Sequence, residues 1–79
     1  MNGPPPDPPV EPPARYEILV GAVLDSRWSA WFEGLQVTRV DPGQSMIAGT
    51  VRDQAALHGL LTKVRDLNLP LISVRRVQP

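Results

Sequence analysis

His58 is the only histidine of this 79-residue chain, and no cysteine is present to share a metal with it. It follows Leu57 and precedes Gly59 on what reads as a helix, and no carboxylate stands at metal-ligand spacing, so no metal site is assigned. As a general base it would need a positioned partner that the sequence does not identify. Ser26 and Ser29 are candidate nucleophiles with no defined base. Trp28, Trp31 and Phe32 fall at i, i+3 and i+4 and could form an aromatic platform for a ligand. At that spacing beside a small core they read first as a packing face, with one tryptophan left as a possible exposed binding group. Arg39, Arg52, Arg75 and Arg76 could touch nucleic acid, but as solvated charges they need no such role. No catalytic residue and no cofactor is assigned, and the chain reads as non-enzymatic.

Whatever positions these side chains is small. Seven of the ten prolines lie between Pro4 and Pro13, so residues 1–14 read as a disordered, polyproline-like tail and residues 15–79 as one α+β domain. The run Pro4-Pro5-Pro6-Asp7-Pro8-Pro9 could also dock in an aromatic groove of a partner. A domain of this size without a disulfide or a structural metal is marginal by itself, which makes oligomerisation or a partner the remaining source of burial. The domain carries eight basic and six acidic residues, a net of +2, and this balance predicts no strong electrostatic partner. The start has no basic or apolar leader pattern, and no later run approaches the ~20 apolar residues of a bilayer span. A cytoplasmic location without membrane insertion is expected.

Tyr16 to Leu24, rich in β-branched and aliphatic residues, predicts strand one. Asp25 or Ser26 offers an N-cap for a helix of about two turns ending at Gly34. Period-two alternation returns at Leu35 and Val37, and Asp41-Pro42-Gly43-Gln44 supplies a turn into a strand over Ser45 to Val51. Asp53 then caps a helix whose Leu57, Leu60, Leu61, Val64 and Leu67 form one stripe. Asn68 and Pro70 end it, and Leu71 to Val77 is the last strand. Gly59 costs this helix ~1 kcal/mol against alanine and reads as a close-packing position. The order β-α-β-β-α-β predicts a ferredoxin-like fold, a four-stranded antiparallel sheet in the order 4-1-3-2 with two helices on one face.

Several functions known on that topology lack their residues here. RNA-recognition motifs stack bases on aromatics of the middle strands, whereas strand three has none and strand one only Tyr16, which makes nucleic acid an unlikely partner. Acylphosphatase-like enzymes need a glycine-rich cradle that Gly21-Ala22-Val23-Leu24-Asp25-Ser26-Arg27 does not supply. Copper chaperones need a cysteine pair. Effector-binding regulatory domains, which often use a glycine after strand one, remain an alternative, although Asp25-Ser26 stands in that region.

With Ile18, Val20, Leu35, Val37, Ile47, Val51, Ile72 and Val74 under the helices, the opposite face would carry Leu19, Val23, Thr38, Val40, Met46, Ala48, Leu71, Ser73 and Val77. So apolar a face predicts an interface. Leu19, Val23, Val40, Met46, Ala48 and Leu71 are its expected contact residues, for a second copy or another protein partner.

The runs Trp28-Ser29-Ala30-Trp31-Phe32-Glu33-Gly34-Leu35, Gly49-Thr50-Val51 and Asp53-Gln54-Ala55-Ala56-Leu57-His58-Gly59-Leu60-Leu61, with Arg65-Asp66-Leu67 and Leu69-Pro70-Leu71, resemble a family of short uncharacterised bacterial proteins. The resemblance spans nearly all of Tyr16 to Val74. It implies a bacterial, cytoplasmic origin and brings no activity with it. Apolar Leu19 and Val23 depart from the charged or polar residues the resemblance would place there, which suggests an interface particular to this chain. The expected function is a self-associating interaction module or a small subunit of a larger assembly.

Overall fold

The computed structural model describes Gly3 and residues 11–77. Of the expected tail, residues 1–2 and 4–10 lie outside the described residues. The first strand begins one residue before the expected domain boundary, at Ala14.

Four strands form the sheet: β1 Ala14–Val20, β2 Gln36–Asp41, β3 Gln44–Val51 and β4 Leu71–Val77. They are antiparallel throughout and lie in the order β2-β3-β1-β4, the 4-1-3-2 arrangement read from the sequence. Cross-strand register puts Val37, Ile47, Ile18 and Val74 in one row on one face. Pro42 and the left-handed Gly43 (φ +81°) close the β2–β3 hairpin, as a turn with a positive φ at its third position requires.

Helix α1, Gln54–Asp66, starts where Asp53 accepts a hydrogen bond from the Ala56 N–H at 2.8 Å. It stops at Asn68, whose φ of +57° turns the chain while the Asn68 and Leu69 amides donate to the Arg65 and Val64 carbonyls. Leu57, Leu60 and Val64 pack into a core with Tyr16, Ile18, Val20, Leu24, Phe32, Leu35, Val37, Ile47 and Val51. The close contact expected at Gly59 is not found, since a Cβ there meets nothing within 4 Å. Gly59→Ala is therefore expected to raise stability by about 0.5–1 kcal/mol, read as a higher urea midpoint at unchanged m-value.

The ferredoxin-like βαββαβ reading fails at its first helix. Residues Ser26–Ser29 form one 3-10 turn, so the chain has a single α-helix among the described residues and the element order is β-β-β-α-β. Asp25 does cap the turn, accepting from the Arg27 N–H at 2.9 Å. Glu33 (φ +59°) and Gly34 (φ +82°) then stand consecutively in the left-handed region and end any helical path. The Gly34 N–H reaches back to the Ser29 carbonyl, and the Ser29 hydroxyl donates to the Leu35 carbonyl at 2.6 Å. From this knot only Phe32 is driven fully into the core, while Trp28 packs partly against it and Trp31 stays exposed.

Losing a helix leaves part of the sheet bare. A helix is about 10–12 Å wide with its side chains, and strands lie ~4.8 Å apart, so α1 cannot cover four strands. The segment Ser26–Leu35 reaches the β2–β3 side, where the Leu35 side chain lies close over Gly49. On the other side β4 is an edge strand, and its apolar residues lie outside the core cluster. The expectation that Ile72 and Val74 lie buried beneath helices is corrected: they are 47% and 38% exposed, and Leu71 is 50% exposed.

Candidate functional site

The residues with chemical potential are scattered and mostly engaged. His58 is exposed on α1, and its carbonyl accepts from the Thr62 hydroxyl at 2.9 Å. The Ser29 hydroxyl is committed to the Leu35 carbonyl. Among the described residues, no serine, threonine or histidine side chain is hydrogen-bonded to a carboxylate, so no activated nucleophile is assembled. Asp25 holds Arg27 in a bidentate exposed pair, and that guanidinium keeps the Asp25 carboxyl below its ordinary range.

Trp31 carries a cation rather than a ligand surface. Lys63 Nζ lies 5.1 Å from its ring centroid, donates to the Trp31 carbonyl at 2.8 Å and to Glu33 Oε1 at 2.7 Å. The Lys63 hydrogen bond, reinforced by its charge, holds the Glu33 carboxyl below its ordinary range. This pair contributes stability above the ordinary carboxylate range and loses it as pH falls through the lowered value. A single lysine thus ties the knot at residues 29–35 to the last turn of α1.

Thr50 lines three hollows, two of which carry the most apolar lining. One of ≈ 340 Å³ is lined by Glu33, Leu35, Thr50, Val51, Arg52, Ala56 and Leu60, and the other, of ≈ 460 Å³, includes Pro12, Pro13, Arg15, Arg76 and Val77. In the first, Glu33 is tied to Lys63 and Arg52 lies 3.4 Å from Asp53, so each of its two charges already has a neighbouring counterion. Tyr16, the aromatic of β1, is buried on the helix side, where its hydroxyl accepts from Gln54 Nε2 at 2.9 Å. It offers no stacking surface to a base.

On the face away from α1, Leu19 lies directly across from Met46, and Ala48 lies across from Glu17. These three of the six expected contact residues are neighbours, but Ala48 is only 7% exposed. Around them stand Thr38, Gln36, Ser73 and the pair Arg75–Glu17 at 2.6 Å, so the face is more polar than expected. Val23 is exposed in the segment after β1, Val40 lies beside the irregularity that ends the β2–β3 ladder, and Leu71 opens β4. In the cross-strand register none of those three is paired with Leu19, Met46 or Ala48.

Sequence reasoning missed the grouping Leu71, Ile72 and Val74. They lie close together on a strand that, among the described residues, is paired on one side only, with Leu67 and Leu69 partly buried in the preceding turn. From their apolar content strands one and four read as central or adjacent to the centre, whereas β4 stands at the edge of the sheet.

A family model described as "Domain of unknown function (DUF8691)" matches residues 15–75, which span all of the fold from β1 into β4. Comparison with curated proteins and with solved structures gives no match.

Proposed function

We propose, from the premise that this chain belongs to the family of the Domain of unknown function (DUF8691), that it is a non-enzymatic protein-interaction module docking through β4. One observation carries this reading: an edge strand bearing three of the sheet's four exposed large aliphatic side chains, the fourth being the isolated Val40 of β2. An exposed edge presents a row of backbone donors and acceptors that a further strand can complete, and adjacent aliphatics supply the apolar surface. The half-buried strip of Leu19 and Met46 is bordered by charge, and it ranks second. A role in a bacterial, cytoplasmic assembly belongs to the same proposal; among the described residues no helix is long and apolar enough to cross a membrane.

The test is affinity capture with the tagged full chain, its Ile72→Lys variant and a Thr62→Lys control on the exposed face of α1. Loss of the captured protein with Ile72→Lys alone is the expected result. Capture equal in all three, or a reproducible thermal shift with a small metabolite and no protein captured, would overturn it in favour of effector binding.

A further inference from the structure

We infer that the occupant of the β4 edge is a second copy of this chain, paired antiparallel with Val74 of each copy on the two-fold axis, making one continuous eight-stranded sheet. This rests on the docking reading above and names its partner.

The register follows from geometry and charge. An axis perpendicular to the sheet keeps the α1 side of one copy level with that of the other, and residues opposite each other in an antiparallel pair share a face. The axis must therefore pass through a residue of β4. At Arg75 or Arg76 it would set two guanidinium groups face to face, which is destabilising. At Ile72 it would fall on the register shift opposite Leu19 and Val20 and use only one end of the strand. At Ser73 it would leave Arg76 and Val77 outside the pairing. At Val74 the pairing covers Ile72 to Arg76, Ile72 with Arg76 and Ser73 with Arg75, and stops short of the register shift that sets Leu71 and Val77 on different faces.

The charges accept this arrangement. Arg75 is held by Glu17 of its own copy at 2.6 Å, so each of the two Arg75 side chains near the axis arrives already paired. Each Arg76 faces Ile72 of the other copy, where its methylene stem can cover the aliphatic side chain while its head stays in water. Val74 lies on the α1 side, because it pairs with the buried Ile18, so the two Val74 side chains meet there and shield each other. Eight strands lie within the range of twisted open sheets. A five-residue strand pair, roughly 17 Å long, sits at the small end of specific interfaces, under about 1,200 Å², so association in the micromolar range is expected.

Sedimentation velocity on the full chain, from low to high micromolar concentration, tests the inference. The native chain is expected to pass from monomer to dimer. Val74→Lys, with unchanged far-ultraviolet circular dichroism, is expected to weaken association at least ~10-fold, and Met46→Asp on the opposite face is expected to leave it unchanged. Hydrogen exchange on the native chain guards against a misfolded variant: β4 amides alone should slow as concentration rises, and no concentration dependence there overturns the pairing. A native chain that stays monomeric, yet loses its captured protein with Ile72→Lys, overturns self-pairing and keeps the docking reading. A dimer broken by Met46→Asp and not by Val74→Lys overturns both.

Discussion

Phe32→Ala is expected to lower the unfolding free energy by about 3–5 kcal/mol, the largest effect of any single truncation in this domain. Phe32 is fully buried and the largest of the completely enclosed side chains. It also holds a segment that has no helix to hold it. Its amide lies within reach of both the Trp28 and Ser29 carbonyls, so the ring anchors the whole knot from Ser26 to Gly34. Natural domains have about 5–15 kcal/mol to lose, and one this small stands near the lower end. Each kcal/mol moves Tm by roughly 4–8 °C at this size, so the variant should melt more than ~10 °C lower. Trp31→Ala is the informative comparison. That exposed ring has the Lys63 cation to lose, worth about 0.5–1 kcal/mol. Urea unfolding followed by circular dichroism separates the two. A Phe32→Ala loss below ~1 kcal/mol would mean that the knot contributes little to folding and that β2 and β3 stand without it.

Where local chemistry decides conformation, the sequence was readable. Asp53 caps α1, Asn68 takes the left-handed position after it, and Pro42-Gly43 closes the hairpin, each by a short-range mechanism that the residue type reveals. The first helix was misread because the spacing of Trp28, Trp31 and Phe32 suits any tightly wound chain, including a 3-10 turn followed by a reversal. What ends the winding is Glu33 at φ +59°, and glutamate carries no local signal for that conformation. The position is stabilised from a distance, by Lys63 thirty residues away on α1.

That one misreading carried into the site. With two helices assumed, Ile72 and Val74 counted as core and the opposite face as the exposed apolar surface. With one helix, the bare surface moves to β4. On the opposite face, alternation alone could not show that Glu17 and Arg75 pair beside Ala48, because cross-strand neighbours depend on register between distant strands. Gly59 likewise reads as a packing position from its cost to the helix, while the space beside it is open.

Ser45→Ala is expected to cost about 2–4 kcal/mol, although it removes a single oxygen. Ser45 is completely buried in the core, near the start of β3. Its hydroxyl accepts from the Leu24 N–H at 2.9 Å and donates to the Ala22 carbonyl at 2.7 Å. Those groups belong to the segment after β1, where the chain has left the ladder and has no neighbouring strand to satisfy them. Alanine leaves an N–H and a carbonyl without their partner, each at a desolvation cost of about 1–3 kcal/mol. Thr62→Ala removes an exposed hydroxyl bond on α1 and should stay within about 0.5 kcal/mol. Hydrogen exchange locates the damage. The Leu24 amide should exchange through a local opening in Ser45→Ala, while the Gly21 amide, held by the Pro70 carbonyl at 2.7 Å, keeps its own partner and much of its protection. Equal loss of protection at Gly21 and Leu24 would mean instead that the whole turn between β1 and the start of β4 opens as one unit, with Ser45 as its latch.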